Sequence, residues 1–198
     1  MSRRGGLLGL AAILLSGCAA TSAPSAPTSP LAATPATVLA PVAEQGPVAA
    51  DFELETITGE RVRLAELLAG DGQLVLLDFW STWCEPCKLE LPHLDRLQQE
   101  LGPRGLRVLA VAVDGPATLA DVRSFVRRRG LRLQVPLDPE RRVIDAFNPK
   151  MILPYWVLID RQRQVIRTHQ GYLPGEEAQL AAELDRLLPQ PAASPPGP

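Results

Sequence analysis

Phe79-Trp80-Ser81-Thr82-Trp83-Cys84-Glu85-Pro86-Cys87-Lys88 joins an apolar run, Leu74 to Leu77, to a pattern with Leu91, Leu94, Leu97 and Leu101 at helical spacing. The combination predicts a strand, a short turn, and a helix whose first turn carries Cys-x-x-Cys. Two cysteines so placed can close a small disulfide ring. Cys84 falls where unpaired backbone N–H groups and the helix macrodipole favour negative charge, so its thiol is expected to ionise and to attack disulfides near neutral pH. Cys87, one turn further in, is expected to be more buried and to resolve the mixed disulfide that Cys84 forms. Pro86 suits a first helical turn, where its missing N–H needs no partner. Glu85 sets a carboxylate beside Cys84 and disfavours the thiolate, which predicts a milder thiol than that of a strong oxidant.

Other uses of a Cys-x-x-Cys pair fit less well. A purely structural bridge across two residues removes almost no chain entropy. Half a zinc site would need a second cysteine pair, which is missing, and neither His93 nor His169 supplies zinc-finger spacing. No metal and no separate cofactor is therefore expected; the redox group is the Cys84–Cys87 pair itself.

The stretch resembles the thioredoxin superfamily, and closely its TlpA/ResA-like branch of bacterial extracytoplasmic thiol-disulfide oxidoreductases. Trp83-Cys84-Glu85-Pro86-Cys87-Lys88, followed by Glu90 and Pro92, carries the resemblance, which extends over roughly residues 48–189. It implies a thioredoxin-like α/β fold: a central mixed sheet flanked by helices, with an N-terminal β-hairpin and a central insertion. It also implies roles. Asp78, two residues before Trp80, matches the buried acid of thioredoxins, where many ResA-like members carry Asn. Glu90 matches a glutamate that ResA-like proteins use near the cysteines. Together they are the proton-handling candidates. Trp83, Glu85 and Pro86 would meet substrate beside the cysteines. Pro154, at the start of the β-rich run Tyr155 to Asp160, matches the cis-proline that lies against the cysteine pair, and Leu153 the residue that pairs with substrate backbone. Family members often have Thr at that last position.

The chain has 198 residues, 46% of them apolar, enough for one domain with extensions. A net charge of −2 gives no reason to expect nucleic acid or another strongly charged partner. At the N-terminus, Arg3 and Arg4 precede a short apolar stretch, Leu7 to Leu15, too short to span a bilayer. Residues 1–17 read as a signal peptide, and Leu15-Ser16-Gly17-Cys18 resembles the bacterial lipobox, in which Cys18 would carry lipid. Ala19, rather than Asp, follows it and hints at the outer membrane. Residues 18–47 are rich in Ala, Pro, Ser and Thr and read as a disordered or polyproline-like tether. Residues 190–198 repeat that composition as a tail, leaving 48–189 as the folded domain.

Within the domain, Thr58-Gly59-Glu60 predicts a hairpin turn between strands over 52–56 and 61–64. A short helical turn over 65–69 precedes the central strand, Gln73 to Trp80. Asp78 interrupts that strand, and a carboxylate there is costly unless protonated or partnered. Leu106 to Val113 predicts a second buried strand and Pro116 to Arg129 a helix ending in three solvated arginines. Val135 to Asp138, with a helix over Glu140 to Phe147, resembles the branch's insertion. Arg161 to Gln164 predicts a turn lacking the usual glycine. A strand over 165–169 and a closing helix over 175–188, with Leu180, Leu184 and Leu187 inward, complete the chain.

The expected function is an extracytoplasmic thiol-disulfide oxidoreductase, lipid-anchored on the periplasmic side of a bacterial membrane. Its expected partners are disulfide-bearing envelope proteins, apocytochrome c among them, and an upstream membrane thiol donor. Two rivals stand beside it. A peroxiredoxin-like thiol peroxidase would need a proline where Leu77 stands, although Ser81 fits. A copper-binding carrier without turnover would use the two thiolates as ligands, with Pro154 obstructing the metal.

Overall fold

The computed structural model describes residues 46–69 and 74–190. The expected signal peptide, Cys18, nearly all of the tether and the tail from residue 191 lie outside the described residues. Strands β1 (Glu53–Glu55) and β2 (Arg61–Arg63) pair antiparallel, Leu54 opposite Val62. Gly59 closes their turn at φ +88, a conformation that costs glycine little. Leu54 and Val62 point inward while the charged residues beside them point to solvent. A short helix, α1 (Leu64–Ala69), follows directly.

The apolar run forms β3 (Leu74–Trp80), buried along its whole length. Alternation sends Leu74, Leu76 and Trp80 into one apolar layer, and Val75, Leu77 and Phe79 into another. Asp78 therefore shares a face with Trp80. Helix α2 (Glu85–Leu101) buries Leu91, Leu94, Leu97 and Leu101 against the first layer and carries Pro92 within it. It crosses over to β4 (Leu106–Ala112), which runs parallel to β3. The helix expected from Pro116 begins as one 3₁₀ turn, Pro116–Thr118, before α3 (Leu119–Arg129). The Trp80 ring lies tilted against Phe125 of α3, centroids 5.3 Å apart, and its Nε1–H donates to the Ala110 carbonyl at 3.2 Å.

The insertion covers the outer edge of β4: the Ala110 and Ala112 N–H groups donate to the Gln134 and Pro136 carbonyls at 3.0 and 2.9 Å. Its expected eight-residue helix contracts to α4 (Ile144–Phe147). Arg141 adopts φ +58, incompatible with a continuous helix, and the buried Asp138 carboxylate takes the Val143 and Ile144 N–H groups at 3.0 and 2.9 Å. Strand β5 (Tyr155–Asp160) pairs antiparallel with β3, and β6 (Val165–Gln170) antiparallel with β5, giving the order β4-β3-β5-β6. The glycine-free turn works because Arg163 takes φ +63 and Asp160 accepts from the Gln162 and Gln164 N–H groups.

Helix α5 (Glu176–Leu187) buries Leu180 and Leu184. One expectation fails here. Leu187 is 47% exposed, whereas Leu188 is 2% exposed. The helix stops at Leu187, and the extended backbone of Leu188 turns its side chain into the core. Among the described residues no helix is long and apolar enough to cross a membrane.

Candidate active site

The turn between β3 and α2 sets the cysteines. Asp114, buried just past the end of β4, accepts hydrogen bonds from both the N–H (3.0 Å) and the hydroxyl of Thr82. Cys84 is the N-cap of α2: its backbone is extended and its Sγ accepts from the Cys87 N–H at 3.3 Å. Pro86 sits in the first turn as expected. The two cysteines form a disulfide. Cys87 is fully buried and Cys84 only slightly less so, at 5% exposure. Glu85 is exposed and ion-paired with Lys88, so its charge beside Cys84 is partly offset.

Trp83, next to Cys84 in the chain, is 61% exposed, and Ile152, just before the Leu153–Pro154 bond, is 43% exposed. The Leu153–Pro154 peptide bond is cis, with Pro154 buried. Leu153 is half-buried and packs against the layer that contains both cysteines.

Beneath the pair lie two acids. Asp78 is fully buried in β3 between Ala110 and Trp156, and neither carboxyl oxygen has a hydrogen-bond partner among the described residues. Glu90, one helical turn beyond Cys87, is 4% exposed, with Oε2 unpartnered. Burial pushes Asp78 up to about 8. Burial first, then the nearby Asp78 and Glu176 carboxyls, push Glu90 up to about 9. The pair thus holds its protons into the neutral range: the protonated carboxyl can donate to a leaving thiolate, and only the minor ionised fraction, chiefly of Asp78, can take a proton from an attacking thiol.

Sequence reasoning missed three features. Asp114 fixes the turn before Cys84; its place at the carboxyl end of a parallel strand, where α/β folds gather functional groups, was the available signal. Ser81, buried with its Oγ unpartnered, lies at the start of that turn. His93 and His169, which supply no zinc-finger spacing in the sequence, meet in one cleft, a proximity created by strand register. Among the described residues no group of three or more His, Cys, Asp or Glu side chains is arranged to hold a metal ion.

The sequence model of the AhpC/TSA family matches residues 46–168. Thiol-disulfide oxidoreductase ResA of Halalkalibacterium halodurans is 34% identical over 147 residues, covering 74% of this chain and 78% of that protein. Among solved structures, a Chlorobium tepidum protein provisionally named thiol:disulfide interchange protein DsbE superposes with a TM-score of 0.64 at 29% identity, covering 73% of this chain and 97% of the other. The pneumococcal exposed lipoprotein thioredoxin Etrx1 of Streptococcus pneumoniae superposes with a TM-score of 0.58 at 28% identity, covering 69% and 99%. With a helix-capping cysteine disulfide above two buried acids, and a sequence matched over most of its folded part, the chain belongs to the AhpC/TSA family and, within it, to the ResA-like thiol-disulfide oxidoreductases.

Proposed function

We propose that this oxidoreductase works as a reductase of disulfides in envelope proteins, apocytochrome c among them, with Cys84 as nucleophile and Cys87 as resolving thiol. The observation that carries the reading is the placement of the fully buried Cys87 one helical turn from Glu90, on the layer that Asp78 also faces. In the reduced protein the Cys84 thiolate attacks a substrate disulfide, and the first substrate sulfur leaves as a thiolate that takes a proton from solvent. Where one carboxyl of the Asp78–Glu90 pair has ionised, Cys87 gives its proton to that carboxylate and attacks the Cys84 sulfur. The bond from Cys84 to substrate breaks, the second substrate sulfur leaves, and the Cys84–Cys87 disulfide remains. A membrane thiol donor restores the dithiol. Trp83, Pro86, Leu153 and Pro154 shape the cleft that holds substrate, and Glu85 tempers Cys84.

The location is part of the proposal. Residues 1–17 act as a lipoprotein signal peptide, lipid on Cys18 anchors the chain to a bacterial membrane, and residues 18–47 tether the domain on the periplasmic side. The pneumococcal relative, named an exposed lipoprotein, supports this. Cys18→Ala should release the domain into the soluble extracytoplasmic fraction; wild type already soluble with an unmodified N-terminus would defeat the anchor.

The deciding experiment is to express Cys87→Ser in the native envelope, quench with acid, and identify adducts that dissolve on reduction. Apocytochrome adducts support the maturation role, and a broad set of envelope proteins points to general disulfide repair. Equal trapping by Cys84→Ser overturns the division of roles. Bound copper without adducts would favour a carrier.

A further inference from the structure

A cleft of about 80 Å³ opens between α2, β6 and α5, and the chain's two histidines both line it. Glu90 forms its floor, nine-tenths buried, with Oε2 lacking any hydrogen-bond partner among the described residues. The walls are Leu94, Trp156 and Leu180. The mouth is polar. His169 of β6 has Nε2 3.3 Å from Glu176 and lies stacked on Trp156, centroids 5.3 Å apart. From α2, His93 has Nδ1 3.7 Å from Glu177, which also accepts from the Tyr172 hydroxyl at 3.2 Å. Arg167 of β6 is engaged by Glu183 at 3.6 Å.

The cleft reaches inward as far as Glu90, which lies one helical turn from Cys87. Asp78 stands opposite Trp156 in the β3–β5 register, and Trp156 opposite His169 in the β5–β6 register. Directly opposed residues share a face, so Asp78, Trp156 and His169 form one row across three strands, on the layer that holds Cys87. The volume suffices for a few water molecules, and the polar mouth would hold them. A buried acid that cycles its proton needs a route to solvent, and the Cys84 side is closed by the substrate during the resolving step.

We propose that this cleft is the route by which the proton taken up by the Asp78–Glu90 pair leaves for solvent, with His169, held by Glu176, as the carrier at its mouth. The inference rests on Cys87 being the resolving thiol. When Cys87 attacks the Cys84 sulfur, its proton passes to a carboxylate of the pair, then to the His169 imidazole, and from there to bulk buffer. Reopening of the disulfide by the thiol donor runs the same transfer inward and supplies the proton that the departing Cys87 thiolate takes up. His169 never touches substrate; it acts through Glu90.

The test uses the full chain, reduced and mixed with saturating oxidised glutathione, with release of the second glutathione followed between pH 6 and 8. His169→Gln should slow that release about tenfold near neutral pH, at or below the low end of general acid–base effects, and flatten its pH profile. Added imidazole should restore the rate, and the reduction potential should stay at the wild-type value, because both end states are unchanged. Glu176→Gln, which keeps the imidazole but frees it, should show a smaller loss in the same direction, and it serves where His169→Gln does not fold. A wild-type rate in both variants, a loss that imidazole does not relieve, or a shifted potential overturns the route. A wild type that never releases the second glutathione overturns the resolving role of Cys87 as well.

Discussion

Asp78 and Glu90 reach the same buried layer from different elements, β3 and α2, and each carries an oxygen that no hydrogen bond satisfies among the described residues. Their mutual repulsion adds to the cost of burial for Glu90. An apolar interior tolerates such a pair only while it is largely protonated. The acids beneath the disulfide are thus a local instability kept beside the redox group.

That arrangement fixes a pH dependence of stability. Both carboxyls titrate higher in the folded chain, at about 8 and about 9, than their ordinary values of 3.8 and 4.5. Between those limits the folded state holds protons that the unfolded state has lost, so stability falls as pH rises through the window. Glu177 shifts the opposite way, held below its ordinary value by backbone N–H donors. The oxidised protein should melt several degrees lower at pH 9 than at pH 5, at roughly 2–4 °C per kcal/mol. Asp78→Asn should flatten the slope and exceed wild type above pH 8. A wild-type Tm that climbs from pH 5 to 9, or an unchanged slope in the variant, contradicts the assignment.

Asp114 should matter through Thr82. Asp114→Ala leaves the Thr82 N–H and hydroxyl without their acceptor in a part-buried turn, at a cost of about 1–3 kcal/mol. Because that turn leads directly into Cys84, alkylation of Cys84 in the reduced variant should also change rate. Thermal melts and iodoacetamide kinetics measure the two effects. A melt within about 0.5 kcal/mol of wild type would show that water replaces the carboxylate without loss.

The end of α5 offers a paired test. Leu188→Ala should cost about 2–5 kcal/mol, since the side chain is nearly completely buried, while Leu187→Ala should stay within about 0.5 kcal/mol. Equal costs would mean that the helix runs on and turns Leu187 inward.

This last pair also shows how far the sequence could be read. The unbroken run Leu74 to Leu77 and the leucine spacing after Cys87 carry a local signal, and β3 and α2 appear where that signal puts them. The hairpin and the cis bond before Pro154 were legible from turn chemistry and resemblance. What failed depended on distant partners. Asp138 captures the Val143 and Ile144 N–H groups and, with left-handed Arg141, shortens α4 to one turn. Helical periodicity does not distinguish Leu187 from Leu188 once the helix end is uncertain by a residue. The meeting of His93 and His169 needed the β5–β6 register, which no local pattern encodes.

The resolving step should separate the two cysteines kinetically. Cys87 is fully buried, and a buried thiol resists ionisation, so its attack on the mixed disulfide needs a base. Asp78 faces the same layer, and its carboxyl has no competing hydrogen-bond partner among the described residues to occupy it. Asp78→Asn keeps the shape and removes the carboxyl whose minor ionised fraction at pH 7 serves as the base. In a stopped-flow reaction of the reduced variant with oxidised glutathione, release of the second glutathione should slow by about 10- to 100-fold at pH 7, at or below the low end of the range for general-base catalysis. Alkylation of Cys84, which caps α2 at the other end of the turn, should change less than about twofold, on the same reasoning that general-base effects act only where the base reaches the proton. Glu90→Gln alone should slow release less, because Asp78 remains. Equal slowing of both steps by Asp78→Asn would mean that the acid acts on the site as a whole through stability, and an unchanged release rate would assign the proton to another group.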